Sequence, residues 1–355
     1  MWQFQITTRT PLWTGGLDGT MDRIHETGII GSLRWWYEAV VRGLGGNACD
    51  PSEHTCSFDL KKYHESKATD EHQRLRDAGL CDVCQVFGAT GWRRRFRVSI
   101  IEDRTRPAWE PRDKALNIRP PERTRGWYLL PGYVGTFTLG FEGEEKTISL
   151  LASLLLWLEK FGTLGARPQL GYGAFRILNR SEVLKTGRKW QWNVLRTVSP
   201  NQDGKNKALE HPDLRRFLFF RYEFTPSSSR PGWWTMVPGI GRGGSQVQPL
   251  VSQLGMVPTT PALKNEWRFH QWHGNRRDEL EIFGTLRPER RRGRISATWA
   301  YNREKGVWFI HGWVWMPREE NQAQHLWEIL TNTTVWNKVL GVKGRLTTFP
   351  TQRWR

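Results

Sequence analysis

Four cysteines stand in one stretch of this 355-residue chain, at Cys49, Cys56, Cys81 and Cys84, and nowhere else. Cys81-Asp-Val-Cys84 has the spacing that lets two thiolates face one ion, and the earlier pair would complete a tetrahedral Zn²⁺ site. The earlier pair is more widely spaced than usual, which leaves His54 as a substitute ligand. Four protein ligands would close the site, so the zinc would be structural, with no open position for a substrate. The stretch around the cysteines is polar, and a metal would anchor it in place of a core. Unliganded thiols or a disulfide are the alternatives.

A second chemistry is written twice. Val86–Ser99 reads V-F-G-A-T-G-W-R-R-R-F-R-V-S, and Ile282–Ser296 reads I-F-G-T-L-R-P-E-R-R-R-G-R-I-S. The copies are a domain apart, so a module is duplicated. If each run continues a strand, Arg93, Arg95, Arg97 and Ser99 share one face, as do Arg290, Arg292, Arg294 and Ser296. Same-face neighbours would sit roughly 6.6 Å apart, a spacing comparable to that of successive phosphates on an extended nucleic-acid strand. Arginine binds phosphate bidentately and stacks on bases. With Trp92, Arg94 and Arg291, these residues are the candidate RNA contacts; a solvated edge strand is the alternative.

Two glycine-rich loops could also approach a ligand. Gly162–Gly173 reads G-T-L-G-A-R-P-Q-L-G-Y-G and lacks the Lys-Ser/Thr end of a P-loop. Gly165, Gly171 and Gly173 would permit close backbone approach, Arg167 would add charge and Tyr172 a stacking ring; a helix C-cap and turn is the plain alternative. Pro231–Gly244 combines Trp233, Trp234 and Arg242 with several glycines, suited to a single strand threading past aromatics.

The elements that must position these residues follow from periodicity. Trp2–Arg9 alternates as a strand, and Leu33, Trp36, Tyr37, Val40, Val41 and Leu44 form a helical stripe opposite an Arg34, Glu38, Arg42 ladder. After an insertion at about 45–84, strands are expected at Phe96–Ile101, Val134–Phe141 and Gly173–Leu178, with a helix at Thr147–Phe161. The second half repeats this order through Leu218–Phe224, Ala262–Trp272, Gly293–Tyr301, Val307–Trp315, Gln322–Leu330 and Arg345–Phe349. The fold class is α+β: two ferredoxin-like, β-α-β-β-α-β domains at 1–198 and 209–355, joined by a polar linker. Lys and Arg number 53 against 35 Asp and Glu, a net charge of +18 that favours a polyanion partner. The best apolar run, Leu150–Leu158, is too short to span a bilayer. No leader pattern opens the chain, so a cytoplasmic protein without membrane contact is expected. Its 21 tryptophans are expected mostly in cores.

These pieces together resemble the RAMP superfamily of CRISPR effector subunits. The resemblance lies in T-P-L-W-T-G-G at Thr10–Gly16, I-I-G-S-L-R-W-W-Y-E-A-V at Ile29–Val40 and C-D-V-C-Q-V-F-G-A-T-G-W-R-R-R-F-R at Cys81–Arg97. L-G-A-R-P-Q-L-G-Y-G at Leu164–Gly173 and A-L-K-N-E-W-R-F at Ala262–Phe269 extend it over most of the chain. It is most similar to the subunit-one family of the type III-B Cmr complex. The resemblance implies a non-catalytic subunit near the 3′ end of the guide RNA, holding guide and target RNA beside other RAMP subunits. Arg34, inside the second motif, joins the candidate contacts. In related backbone subunits an Asp after the first strand cleaves target RNA. Here that loop holds Asp18 and Asp22, with His25 close by, so an endoribonuclease is the alternative reading.

Overall fold

The computed structural model describes residues 1–16, 19–50, 55–192, 211–229, 231–241, 244–285, 291–304 and 306–350. The alternating segment Trp2–Thr8 forms strand β1, and helix α1 spans Glu26–Gly43 with Leu33, Trp36, Tyr37, Val40 and Val41 buried. The expected charge ladder is present, with Arg34 Nε donating to Glu38 Oε1 at 3.0 Å. Three short helices make up the insertion: α2 (Leu60–Glu65), α3 (Glu71–Asp77) and α4 (Asp82–Phe87). Next come β2 (Phe96–Pro107), a small hairpin of β3 (Leu116–Ile118) and β4 (Trp127–Leu129), β5 (Tyr133–Gly143), α5 (Glu145–Phe161), β6 (Phe175–Ile177) and α6 (Arg180–Gly187). The first sheet is four-stranded, in the antiparallel order β2-β5-β1-β6. Helices α1 and α5 cover the face that carries Phe4, Ile6, Phe137 and Phe141, while Gln3, Gln5, Ser99 and Glu142 lie exposed on the other.

The remaining elements are β7 (Phe217–Phe224), α7 (Gly244–Leu254), β8 (Met256–Val257) and α8 (Thr260–Asn265), which runs on as a π-helical turn over Glu266–Gln271. They continue with α9 (Arg276–Phe283), β9 (Ile295–Ala297), β10 (Ala300–Glu304), β11 (Val307–Trp315), α10 (Glu320–Thr331), α11 (Thr333–Leu340) and β12 (Gly344–Pro350). The second sheet runs β12-β7-β11-β10-β8, with β9 also on β11. The single strand expected over 293–301 is broken at Thr298 and Trp299, because Trp299 leaves the sheet. Its backbone N–H donates to Gly171 O and its Nε1 to Leu170 O, both in the glycine-rich loop that follows α5.

Strand β7 reads F-L-F-F-R-Y-E-F without a clean alternation because both its faces are covered. On one side Phe217 lies 5.9 Å from Trp36 and Phe219 5.3 Å from Trp157, so α1 and α5 are shared by the two sheets. On the other, Phe220 lies 5.6 Å from Trp336 and Tyr222 stacks on the same ring at 4.9 Å. The buried residues form one continuous apolar core through both halves, and tryptophans 36, 267, 299 and 336 are among its largest members. Among the described residues no helix is long and apolar enough to cross a membrane.

Candidate metal centre and nucleic-acid interface

The fold brings the four cysteines together although 35 residues separate the first from the last. Cys49 lies just beyond the glycines that end α1, Cys56 before α2, Cys81 at the N-cap of α4 and Cys84 within it. Their Sγ atoms all lie within 4.8 Å of one another, with Cys49 to Cys84 at 3.5 Å and Cys49 to Cys81 at 3.6 Å. Tetrahedral thiolates around Zn²⁺, with bonds of about 2.3 Å, stand roughly 3.8 Å apart, so the sulfurs are placed as a metal would need them. All four are free thiols, and Cys84 N donates to Cys81 Sγ at 3.4 Å, the knuckle arrangement. His54 lies outside the described residues. Hydrogen bonds, first from Cys49 and then from Cys84, hold Cys81 well below the ordinary thiol range. This cluster could hold a metal ion.

The insertion is held by polar contacts as well. Asp82 is buried and accepts from Arg76 Nε at 2.6 Å, Arg76 Nη2 at 2.7 Å and Asn47 N at 2.8 Å. Burial would raise its carboxyl, but the hydrogen bonds from His72 and Arg76 outweigh it and hold the group below the carboxylate range.

The duplicated phrase is a duplicated structure. Helix α4 ends in Phe87 and Gly88 at φ +89°, and α9 ends in Phe283 and Gly284 at φ +82°. Arg95 N then returns to Val86 O at 3.0 Å, and Arg294 N to Ile282 O at 2.8 Å. A side chain could not replace either glycine: a Cβ on Gly88 would sit 3.0 Å from Arg94 N, and one on Gly284 2.6 Å from Gly293 N. In both copies an arginine from an earlier helix secures the turn, Arg34 Nη1 donating to Gly88 O at 3.2 Å and Arg268 Nη1 to Gly284 O at 3.0 Å. Arg268 is not singled out by the sequence, because the position matching Arg34 in A-L-K-N-E-W-R-F is Lys264; only the shared hydrogen bond to the turn glycine shows its role.

The arginines themselves do not line one strand face. Strands β2 and β9 begin at Phe96 and Ile295, so residues 93–95 and 291–294 form the crossing from helix to strand, where Arg95 N and Arg294 N bond to the helix end; Arg97 alone lies within a strand, opposite Glu142 of β5. In the first copy Arg93 and Arg97 are exposed. Arg94 lies 5.1 Å over the Phe96 ring, and Arg95 lies 5.5 Å over Trp92 and pairs with Glu71 at 2.9 Å. Trp92 is fixed by Nε1 donating to Gln85 O at 3.0 Å and by Phe58 at 5.0 Å, so the turn is built on both halves of the cysteine cluster. In the second copy Arg290 is outside the described residues and Arg291 is exposed. Arg292 lies 4.6 Å over Trp35, and Arg294 is buried against Glu281 and Trp315. Arg34 points inward too: its Nη2 donates to Cys84 Sγ at 3.3 Å, a cation set against the thiols.

The glycine loops are packed against protein. Tyr172 is fully buried, its hydroxyl donating to Leu130 O, so it offers no stacking face. A Cβ on Gly165 would overlap Trp13 O, one on Gly171 the Trp299 ring, and one on Gly173 Leu164 O. Close approach by the chain itself thus accounts for these three glycines. Arg167 lies 3.5 Å over the Trp13 ring. Trp233 and Trp234 are buried, Trp233 against Phe224 and Trp308; Arg242 is outside the described residues.

Exposed Asp22 pairs with the partly buried His25, Oδ1 to Nε2 at 2.6 Å, and the His25 hydrogen bond lowers the Asp22 carboxyl. Tyr133 donates its hydroxyl to Asp22 O, and Asp18 lies outside the described residues.

Residues 5–176 match the RAMP superfamily. No curated protein matches the chain. Among solved structures, the crystal structure of Cmr1 from Pyrococcus furiosus in its apo form is similar at 16% identity and a TM-score of 0.42, over 98% of each chain. A chain in the cryo-EM structure of the type III-B Cmr-beta bound to cognate target RNA and AMPPnP is similar at 11% identity and a TM-score of 0.40, over 93% of this chain and 98% of that one. The matched stretch, residues 5–176, carries most of the first sheet and the whole cysteine cluster and is similar to the RAMP superfamily.

Proposed function

We propose that the chain is an RNA-binding structural subunit of a type III-B CRISPR RNA-guided interference complex, at the end near the guide RNA 3′ end, contacting guide or target RNA beside other RAMP subunits. The superfamily match and the Cmr-type motifs support this reading. The observation that carries it is the turn at 88–97. Its exposed Arg93 and Arg97 stand on a backbone already held by α4, Trp92 and the cysteine cluster. A preformed cationic turn gives up little freedom on meeting a phosphate backbone. The cysteines take a structural zinc in this reading, since four soft sulfur donors in a closed set suit it. The chain then comprises two ferredoxin-like units, 1–198 and 209–355. With β9 and β10 counted as one strand and β8 set aside, both sheets share the strand order second-third-first-fourth.

Titrating labelled single-stranded RNA at several salt concentrations tests the reading. An Arg93→Ala, Arg97→Ala double variant is expected to bind several-fold more weakly, with a salt slope reduced by about 1. Unaltered affinity in the folded variant counts against it. The Asp22–His25 pair favours a second reading, RNA cleavage. Cleavage by the pure chain, with or without Mg²⁺, that disappears in Asp22→Asn or His25→Ala would replace the first.

A further inference from the structure

The face of the second sheet that α5 covers continues past the helix end as a basic shelf. Phe219 lies under α5; one step along β7 on the same face is Arg221, beside His311 of β11 and Thr347 of β12. The Arg221 guanidinium sits 5.9 Å from the Phe309 ring and 5.8 Å from the Phe349 ring. Arg303 of β10 lies 5.5 Å over Phe309, and Lys160 at the end of α5 lies 5.9 Å over Phe349. The first sheet supplies the facing wall with Arg9, just after β1, and Arg176 in β6. Arg176 is 3.8 Å from Glu304, whereas among the described residues Arg9, Arg221 and Arg303 make no ion pair. Arg9 is half-buried, and burial together with Arg176 pushes its guanidinium below the ordinary value. Like charges gathered from separate strands across a seam repel one another, and an anion seated among them relieves that repulsion.

Single-stranded RNA fits this surface better than an acidic protein segment does. A guanidinium held beside a ring can offer its plane to a base for stacking and its edge N–H groups to phosphate. Arg221 and Arg303, already set beside rings, also have less freedom to lose on binding. We propose that the shelf is a second contact for single-stranded RNA, with Arg9, Arg221 and Arg303 holding backbone phosphates across the seam between the sheets. This rests on the RNA-binding reading and deepens it, because none of these residues belongs to the duplicated phrase.

The test uses the full-length chain, a fluorescent oligouridylate and an Arg9→Gln, Arg221→Gln, Arg303→Gln variant beside the Arg93→Ala, Arg97→Ala variant. The expected result is an affinity loss of ~10-fold or more for the shelf variant, with a salt slope shallower by about 2. Unchanged affinity in the shelf variant, with weakened binding in the turn variant, overturns the shelf and leaves the RNA reading standing. Absence of RNA affinity in the parent chain overturns both. A parallel titration with polyglutamate separates the partners: binding of that peptide as tight as RNA and equally lost in the shelf variant overturns the RNA assignment. Should the triple variant not fold, photocrosslinking of 4-thiouridine RNA to the parent chain decides. Crosslinks at 300–309 or 344–349 support the shelf, and crosslinks confined to 86–99 overturn it.

Discussion

Gly171→Ala is the sharpest probe of how the two sheets are joined. Gly171 sits at φ +92°, where an L side chain is strained by about 1–2 kcal/mol. Its Cβ would also overlap the Trp299 ring and Thr260 Oγ1, both from the second sheet's side, and would come 2.9 Å from Trp299 N. Trp299 has no room to retreat: it is fully buried, its Nε1 donates to Leu170 O at 2.8 Å, and its ring lies 5.4 Å from Tyr172. Overpacking of this kind costs about 1–3 kcal/mol, so the substitution is expected to destabilise by about 2–5 kcal/mol in all. With a urea slope of about 3 kcal/mol per molar, the unfolding midpoint read by tryptophan fluorescence falls by ~1 M. Gly31→Ala is the control of opposite sign. Gly31 is exposed inside α1, and a Cβ placed there would meet nothing within 4 Å, so alanine should stabilise by about 0.5–1 kcal/mol. In a Trp299→Leu background the cost of Gly171→Ala should shrink, because the ring overlap is gone while the contacts with Thr260 Oγ1 and the backbone N of residue 299 remain. A Gly171→Ala midpoint at or above the parent's would refute the reasoning.

Purified protein is expected to carry one zinc per chain with an all-sulfur coordination signature in X-ray absorption. Cys84→Ser or a strong chelator should remove the metal and open residues 45–84 to protease; absence of stoichiometric metal would sink the proposed site. His311 is buried, its Nε2–H donating to Gly162 O at 2.9 Å and its Nδ1 accepting from Tyr301 at 3.0 Å, and burial lowers its pKa to about 4. The unfolded chain therefore binds the extra proton between about pH 6.5 and 4, so this stabilisation is complete above that window and lost as pH falls through it, by about 3 kcal/mol. The drop in urea midpoint from pH 7.5 to pH 5 should be smaller in His311→Gln than in the parent, and an equal drop would contradict the assignment.

What the sequence determined by itself is what short-range pattern controls. The alternation of Trp2–Thr8, the stripe of α1 and the knuckle spacing of Cys81 and Cys84 each constrain a few neighbouring residues, and each is present as read. The repeated phrase marked a real structural duplication, because Gly88 and Gly284 occupy the same positive-φ turn. Tertiary structure alone decided what those segments face. The arginines read as one strand face became a helix-to-strand crossing, with Arg34 turned to the thiols and Arg294 buried beside Glu281. Tyr172 and the glycines read as a ligand loop are filled by Trp13 and Trp299, the latter from a sheet more than a hundred residues away. The shelf of Arg9, Arg221 and Arg303 exists only because strands distant in sequence meet at one seam. Periodicity reports which side of an element is apolar; which partner covers that side, and where the cover ends, depends on contacts between segments that no local pattern encodes.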